Sequence, residues 1–179
     1  MNKLTSIIQL INAIYLWLIG ACIGGMIISG VVVAPIIFSA YSYLPSLGIT
    51  QYDSGILMTQ IFIKLNYLLN FSAIIIIVYE LSMFKSSLKP SIILLGINIL
   101  SVLLIFIFTL YYTPAILEAQ NMGAAYTATP EFENTHIQSE MLFKVLLVTL
   151  SISFVWRIVL LSAKSPVKTS TTRSRKKTV

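Results

Sequence analysis

"QLINAIYLWLIGACIGGMIISGVVVAPIIF" runs from Gln9 to Phe38 without a single Asp, Glu, Lys or Arg. An α-helix rises 1.5 Å per residue, so about 20 apolar residues cross the roughly 30 Å of bilayer hydrocarbon. The run exceeds that length and has room to tilt or to continue beyond the bilayer. Three further stretches meet the same requirement. Spans are predicted at about 9–38, 56–83, 91–113 and 139–162. The fold class expected is all-α, a four-helix transmembrane bundle over residues 1–163, followed by a basic tail at 164–179.

Composition agrees with this. Hydrophobic residues make up 57% of the 179 residues and charged residues 10%, with a mean hydropathy of +0.90. An ordinary soluble domain carries about 25% charge. The single cysteine, Cys22, lies inside an apolar run, which excludes an internal disulfide and a cysteine zinc site. Seven of the twelve Lys and Arg lie at Arg157 or beyond. The tail "KSPVKTSTTRSRKKTV" is of low complexity and repels itself, and is expected to be disordered and drawn to anionic lipid headgroups rather than to nucleic acid.

Loop charge gives an expected orientation. Lys3, Lys85, Lys89 and the tail lie on one side, and Asp53, Glu118, Glu131 and Glu133 on the other. By the positive-inside rule both termini are cytoplasmic, in a cell inner membrane. Tyr15, Tyr41, Tyr43, Tyr111, Tyr112 and Trp156 suit interfacial belts, whereas Trp17 suits either a belt or packing between helices. The "IGAC" ending at Cys22 loosely matches a lipoprotein processing box, but the apolar run continues past it to Phe38.

Two segments echo each other. "VVVAPIIFSA" (31–40) and "LYYTPAILEA" (110–119) align on Pro35 and Pro114, each a candidate kink. Continuing from there superposes "IFIKLNYLL" on "MLFKVLLVT" and Lys64 on Lys144. The expectation is two tandem helical hairpins related by a pseudo-twofold axis along the membrane normal.

Ionisable groups inside spans are functional candidates by default. His136, Glu140 and Lys144 follow one another at fourfold spacing on one helix face, with Glu140 ahead of Lys144 in the order that favours pairing. Lys64, Asn66 and Asn70 lie at similar depth, with Glu118 at the end of the third span and Ser139 entering the fourth. Together these form a candidate polar pocket facing outward. The simpler account is that both lysines snorkel and Glu140 neutralises Lys144. Met58, Met122 and Met141 are soft donors on the same side, but one histidine and scattered methionines make no metal site, and no metal or other cofactor is expected. Gly20, Gly24, Gly25, Ser29 and Gly30 form a small-residue face for close helix packing, within this chain, in a homo-oligomer or on a membrane partner. No nucleophile-base pair, phosphate loop or zinc-protease motif is present, so no enzyme is expected.

The combination of "GVVVAPIIFSA", "QIFIKLN", "TPAI" and "FENTHIQSEML" resembles the domain-of-unknown-function 4149 group of small bacterial membrane proteins, itself similar to eukaryotic transmembrane protein 205. The resemblance extends over about residues 18–160 and marks Gly30, Pro35, Phe38, Phe62, Pro114, His136 and Ser139. It implies a four-helix integral membrane protein with a looser likeness to copper-resistance D-type bundles, and it brings no established activity. A small transporter or a solute- or metal-binding protein is the function expected. The alternatives are an accessory subunit of a membrane complex and, behind it, a heme or copper redox component.

Overall fold

The computed structural model describes residues 3–86 and 91–163. The basic tail at 164–179 lies outside them. Four helical spans cover Thr5–Phe38, Gln51–Phe84, Ile92–Asn121 and Pro130–Ala163, with no strand among the described residues. Each is long and apolar enough to cross a membrane.

The first span packs against the second and fourth, and the third also packs against the second and fourth. Consecutive spans are therefore neighbours around a closed antiparallel ring, as short connections between helices require. One end of the bundle carries Lys3, Ser86, Ser91 and Ala163. The far end carries the connections 39–50 and 122–129.

The spans outrun their apolar stretches at the far end. The third was expected to stop near residue 113 and the fourth to begin near 139, yet helix continues to Asn121 and resumes at Pro130. Hydropathy locates the part of a helix that sits in hydrocarbon. Polar turns beyond it are held by caps. Thr129 Oγ1 accepts from the Phe132 amide at 3.3 Å, with Pro130 opening the helix where its missing N–H costs nothing. At the second span Thr50 and Asp53 form a reciprocal box: the Asp53 amide donates to Thr50 Oγ1 at 3.1 Å, and the Thr50 amide donates to Asp53 Oδ2 at 2.9 Å. Gly48 (φ 61°) and Gly123 (φ 95°) take the left-handed backbone in the two connections.

Neither proline ends its span. Ile28–Val33 and Phe108–Tyr112 are π-helical, and each gives way to α-helix immediately before Pro35 or Pro114. The Ala34 amide donates to Ser29 O and the Thr113 amide to Phe108 O, each five residues back. A proline ring clashes with the carbonyl one turn before it and supplies no donor. The widened turn absorbs that defect, so both helices run on past it.

Burial follows the same spacing. Tyr15, Ile19, Cys22 and Met26 are buried in the first span, and Leu94, Asn98, Ser101 and Ile105 in the third, each 79 positions on, the separation of Pro35 from Pro114. In the other pair the buried Met58, Leu65, Leu69, Ser72 and Ile76 correspond to Ser139, Leu146, Leu150, Ser153 and Arg157, each 81 positions on. That register sets Phe62 opposite Phe143 and displaces Lys64 from Lys144 by one residue. One residue is about 100° around a helix, and the shifted register brings more of the buried positions into correspondence than the lysine-on-lysine alignment does.

The centre is a run of apolar side chains including Leu69, Ile105, Leu146 and Leu150, all with no exposed surface. Towards the far end the rings of Phe62, Phe108 and Phe143 meet with centroids 5.3 to 5.8 Å apart. The small-residue face of the first span is used within the chain. A methyl group added at Gly20 would touch Phe154 at 3.6 Å, at Gly25 Leu65 at 3.4 Å, and at Gly30 Phe143 at 3.6 Å. Gly24 alone of this set opens onto nothing within 4 Å, and Ser29 is buried.

Candidate functional site

The expected outward pocket does not assemble as a unit. Lys64, Glu118, His136, Glu140 and Lys144 are all exposed. Lys144 Nζ pairs with Glu140 at 2.8 Å on the surface of its own helix, with 70% of the lysine side chain accessible. Lys64 Nζ sits 5.9 Å from the Tyr67 ring on the outer face of the second span, and His136 stacks on Phe132. Long stems let such cations reach the headgroups, so nothing forces them inward. A Lys64→Met, Lys144→Met double variant is accordingly expected to match the wild type within about 0.5 kcal/mol in detergent unfolding. A loss of several times that would return both lysines to the interior account. The donors Met122 and Met141 are exposed while Met58 is buried, so they share no environment. Among the described residues no three His, Cys, Asp or Glu converge as metal ligands.

Asn66, Asn70 and Ser139 do face inward. Asn66 Nδ2 donates to Thr113 Oγ1 at 2.9 Å, and Thr113 Oγ1 donates to Phe108 O at 3.0 Å, inside the widened turn. Thr109 Oγ1 donates to Asn70 Oδ1 at 2.9 Å. Ser139 Oγ donates to the His136 carbonyl of its own helix at 2.7 Å. Nearer the far end Gln120 Nε2 donates to Thr59 Oγ1 at 2.9 Å and Tyr52 OH to Gln120 O at 2.6 Å. Across the middle Ser153 Oγ donates to Asn98 Oδ1, and Ser101 Oγ to Thr149 Oγ1 at 3.0 Å. Polar pairs thus bridge the second and third spans and the third and fourth.

A buried ion pair bridges the second and fourth spans. Arg157 Nη2 donates to Glu80 Oε1, with about a tenth of each side chain accessible. Tyr15 OH reaches the same carboxylate oxygen at 3.4 Å. The rings of Tyr15 and Tyr79 stack with centroids 3.7 Å apart and planes 8° from parallel, and the Arg157 guanidinium lies 5.2 Å from the Tyr79 ring centroid. Tyr79 OH donates to Asn12 Oδ1 at 2.7 Å. Three spans contribute: Asn12 and Tyr15 from the first, Tyr79 and Glu80 from the second, Arg157 from the fourth. Arg157 is six residues, about 9 Å, from the helix end at Ala163. Its Nε is buried and has no partner.

None of these five stood out in the charge pattern. Arg157 was grouped with the basic tail, and Tyr15 with the interfacial belt although only 3% of it is exposed. Trp17, by contrast, points outward with 73% exposed. A usable signal was present: Glu80 is the one charge between Phe71 and Phe84, and Arg157 the one charge between Val145 and Ala163. Opposite single charges in two spans at the same end of the bundle suggest a pair.

Four apolar spans closed into a ring, with an apolar centre and polar pairs between neighbouring helices, define a multi-pass membrane bundle. Its family is identified by a domain of unknown function, DUF4149, whose model matches residues 17–125. The chain belongs to that family. The match covers most of the first span, the second and the third, so Glu80 falls within it and Arg157 outside. Comparison with curated proteins and with solved structures finds no match.

Proposed function

We infer that this is a non-enzymatic small transporter or solute-binding protein of the cell inner membrane whose site lies inside the bundle. One observation carries this: buried polar atoms without a partner recur along the interior, at Ser54 Oγ, Asn66 Oδ1, Asn98 Nδ2 and Arg157 Nε. Each unmade hydrogen bond costs about 1–3 kcal/mol in a low-dielectric interior. Lipid offers no partner, so water or a polar solute does. The repeated burial pattern supports a tandem hairpin duplication. Segregated loop charge supports cytoplasmic termini and attraction of the tail to anionic lipid.

Thiol accessibility tests the interior site. In a Cys22→Ala background, Asn66→Cys and Asn98→Cys are expected to react with a small water-borne thiosulfonate, as does Ser46→Cys in the exposed connection. Labelling at Ser46→Cys alone would mean a dry interior and would remove the proposal. The accessory-subunit alternative rested on the glycine face, which Phe154, Leu65, Leu68 and Phe143 fill at Gly20, Gly25 and Gly30.

A further inference from the structure

We propose that the Glu80–Arg157 pair is a proton-linked binding site for a small planar oxyanion, of the size of nitrate or a short carboxylate. The assignment rests on the solute-binding function above and names its substrate class. Arginine stays charged in proteins, so of the two partners only Glu80 can change its charge. While Glu80 is ionised it is itself the anion on Arg157, through Nη2. The Nε–H of Arg157 is left buried and unpartnered. A guanidinium presents Nε–H and a neighbouring Nη–H as parallel donors, which matches two oxygens of a planar anion. The vacant donor is thus half of a ready fork.

Charge balance then couples the two ligands. Addition of a proton to Glu80 leaves Arg157 without a counter-ion in a low-dielectric interior, where an unpaired charge is strongly disfavoured. An oxyanion on the free fork restores neutrality. One proton and one anion therefore enter together, with no net charge added. The described residues around the pair do not supply an alternative counter-ion. The first span brings Tyr15 and Asn12, the second Tyr79, and the third has Leu94 and Asn98 as buried residues toward this end, so among the described residues packed here the two phenols are the titratable groups beyond Glu80 and Arg157. The stacked tyrosines wall the site, and the Tyr15 hydroxyl already bonds the carboxylate that would take the proton.

Nitrate is the suitable probe, because it neither titrates at these pH values nor crosses bilayers as a neutral acid. Calorimetric titration of nitrate into the full chain in nanodiscs, in buffers of differing ionisation heat, is expected to show one proton taken up per nitrate bound. Affinity is expected to fall by up to tenfold per pH unit between about pH 5.5 and about pH 7.5. Glu80→Gln, which mimics the protonated acid, is expected to bind with no pH dependence and no proton uptake. The Glu80→Gln, Arg157→Gln double variant, folded by its thermal melt, is expected to bind none. A pH-independent wild type, binding by the double variant, or no binding at either pH overturns the proposal. Persistent thiol labelling at Asn66→Cys and Asn98→Cys would then show that only the anion assignment failed, and its absence that both did.

Discussion

Arg157→Met is expected to lower the unfolding free energy of the detergent-solubilised protein by about 3–5 kcal/mol, the usual result of stripping one partner from a buried ion pair. Glu80 would keep a desolvated carboxylate beside two phenols, or take up a proton to shed its charge. The guanidinium would also leave the face of Tyr79, 5.2 Å from the ring centroid. Adding Glu80→Leu to the same chain is expected to recover most of the loss, because a well-packed apolar pair dispenses with the desolvation of both charges. The measurement is a thermal or denaturant unfolding curve of the three variants beside the wild type. A single variant as stable as the wild type would mean that the pair is hydrated and open, contrary to its burial.

Phe143→Ala is expected to cost about 3 kcal/mol. The ring is 8% exposed, meets Phe62 and Phe108 with centroids 5.3 Å away, and covers Gly30. In a soluble core such a deletion costs 3–5 kcal/mol, of which part is transfer from water. In a bilayer the unfolded helix is already in an apolar medium, so chiefly the cavity and the lost ring contacts remain, and the low end applies. Gly30→Leu, pressing on the same ring from the first span, is expected to be less than additive with Phe143→Ala, because the cavity left by one accommodates the other. Full additivity in the same unfolding assay would place the two residues out of contact.

The elements of the fold were legible because each span exceeds the hydrocarbon thickness and little else in the chain does. Their ends were less so. Gln51–Ser54, Glu118–Asn121 and Pro130–Gln138 are polar helix, and hydropathy does not distinguish polar helix from loop; the caps at Thr50 and Thr129 do. Pro35 and Pro114 announced a disturbance correctly but not its form, since the choice between a break, a kink and a widened turn depends on what the neighbouring helices hold in place. Thr113 illustrates this, bridging Phe108 O of its own helix and Asn66 of the next.

The candidate site was legible only in kind. Polar groups in apolar spans were the right objects, but which of them meet was not readable from their spacing. Lys64 and Asn66 lie two residues apart in one helix, and one faces outward while the other is buried. Glu140 and Lys144 satisfy each other on the surface. Glu80 and Arg157, in different spans, satisfy each other inside.

By itself, then, the sequence determined the number of spans and the presence of charges they must accommodate, because the cost of polar groups in hydrocarbon acts residue by residue. The tertiary structure alone decided which face of each helix turns inward. A helix in water is oriented by the contrast between an apolar stripe and a polar one. In lipid both faces are apolar, that contrast vanishes, and small residues, ring packing and paired polar groups set the rotation instead. That is why Arg157, grouped with the tail on charge alone, lies buried between helices against Glu80 and Tyr79.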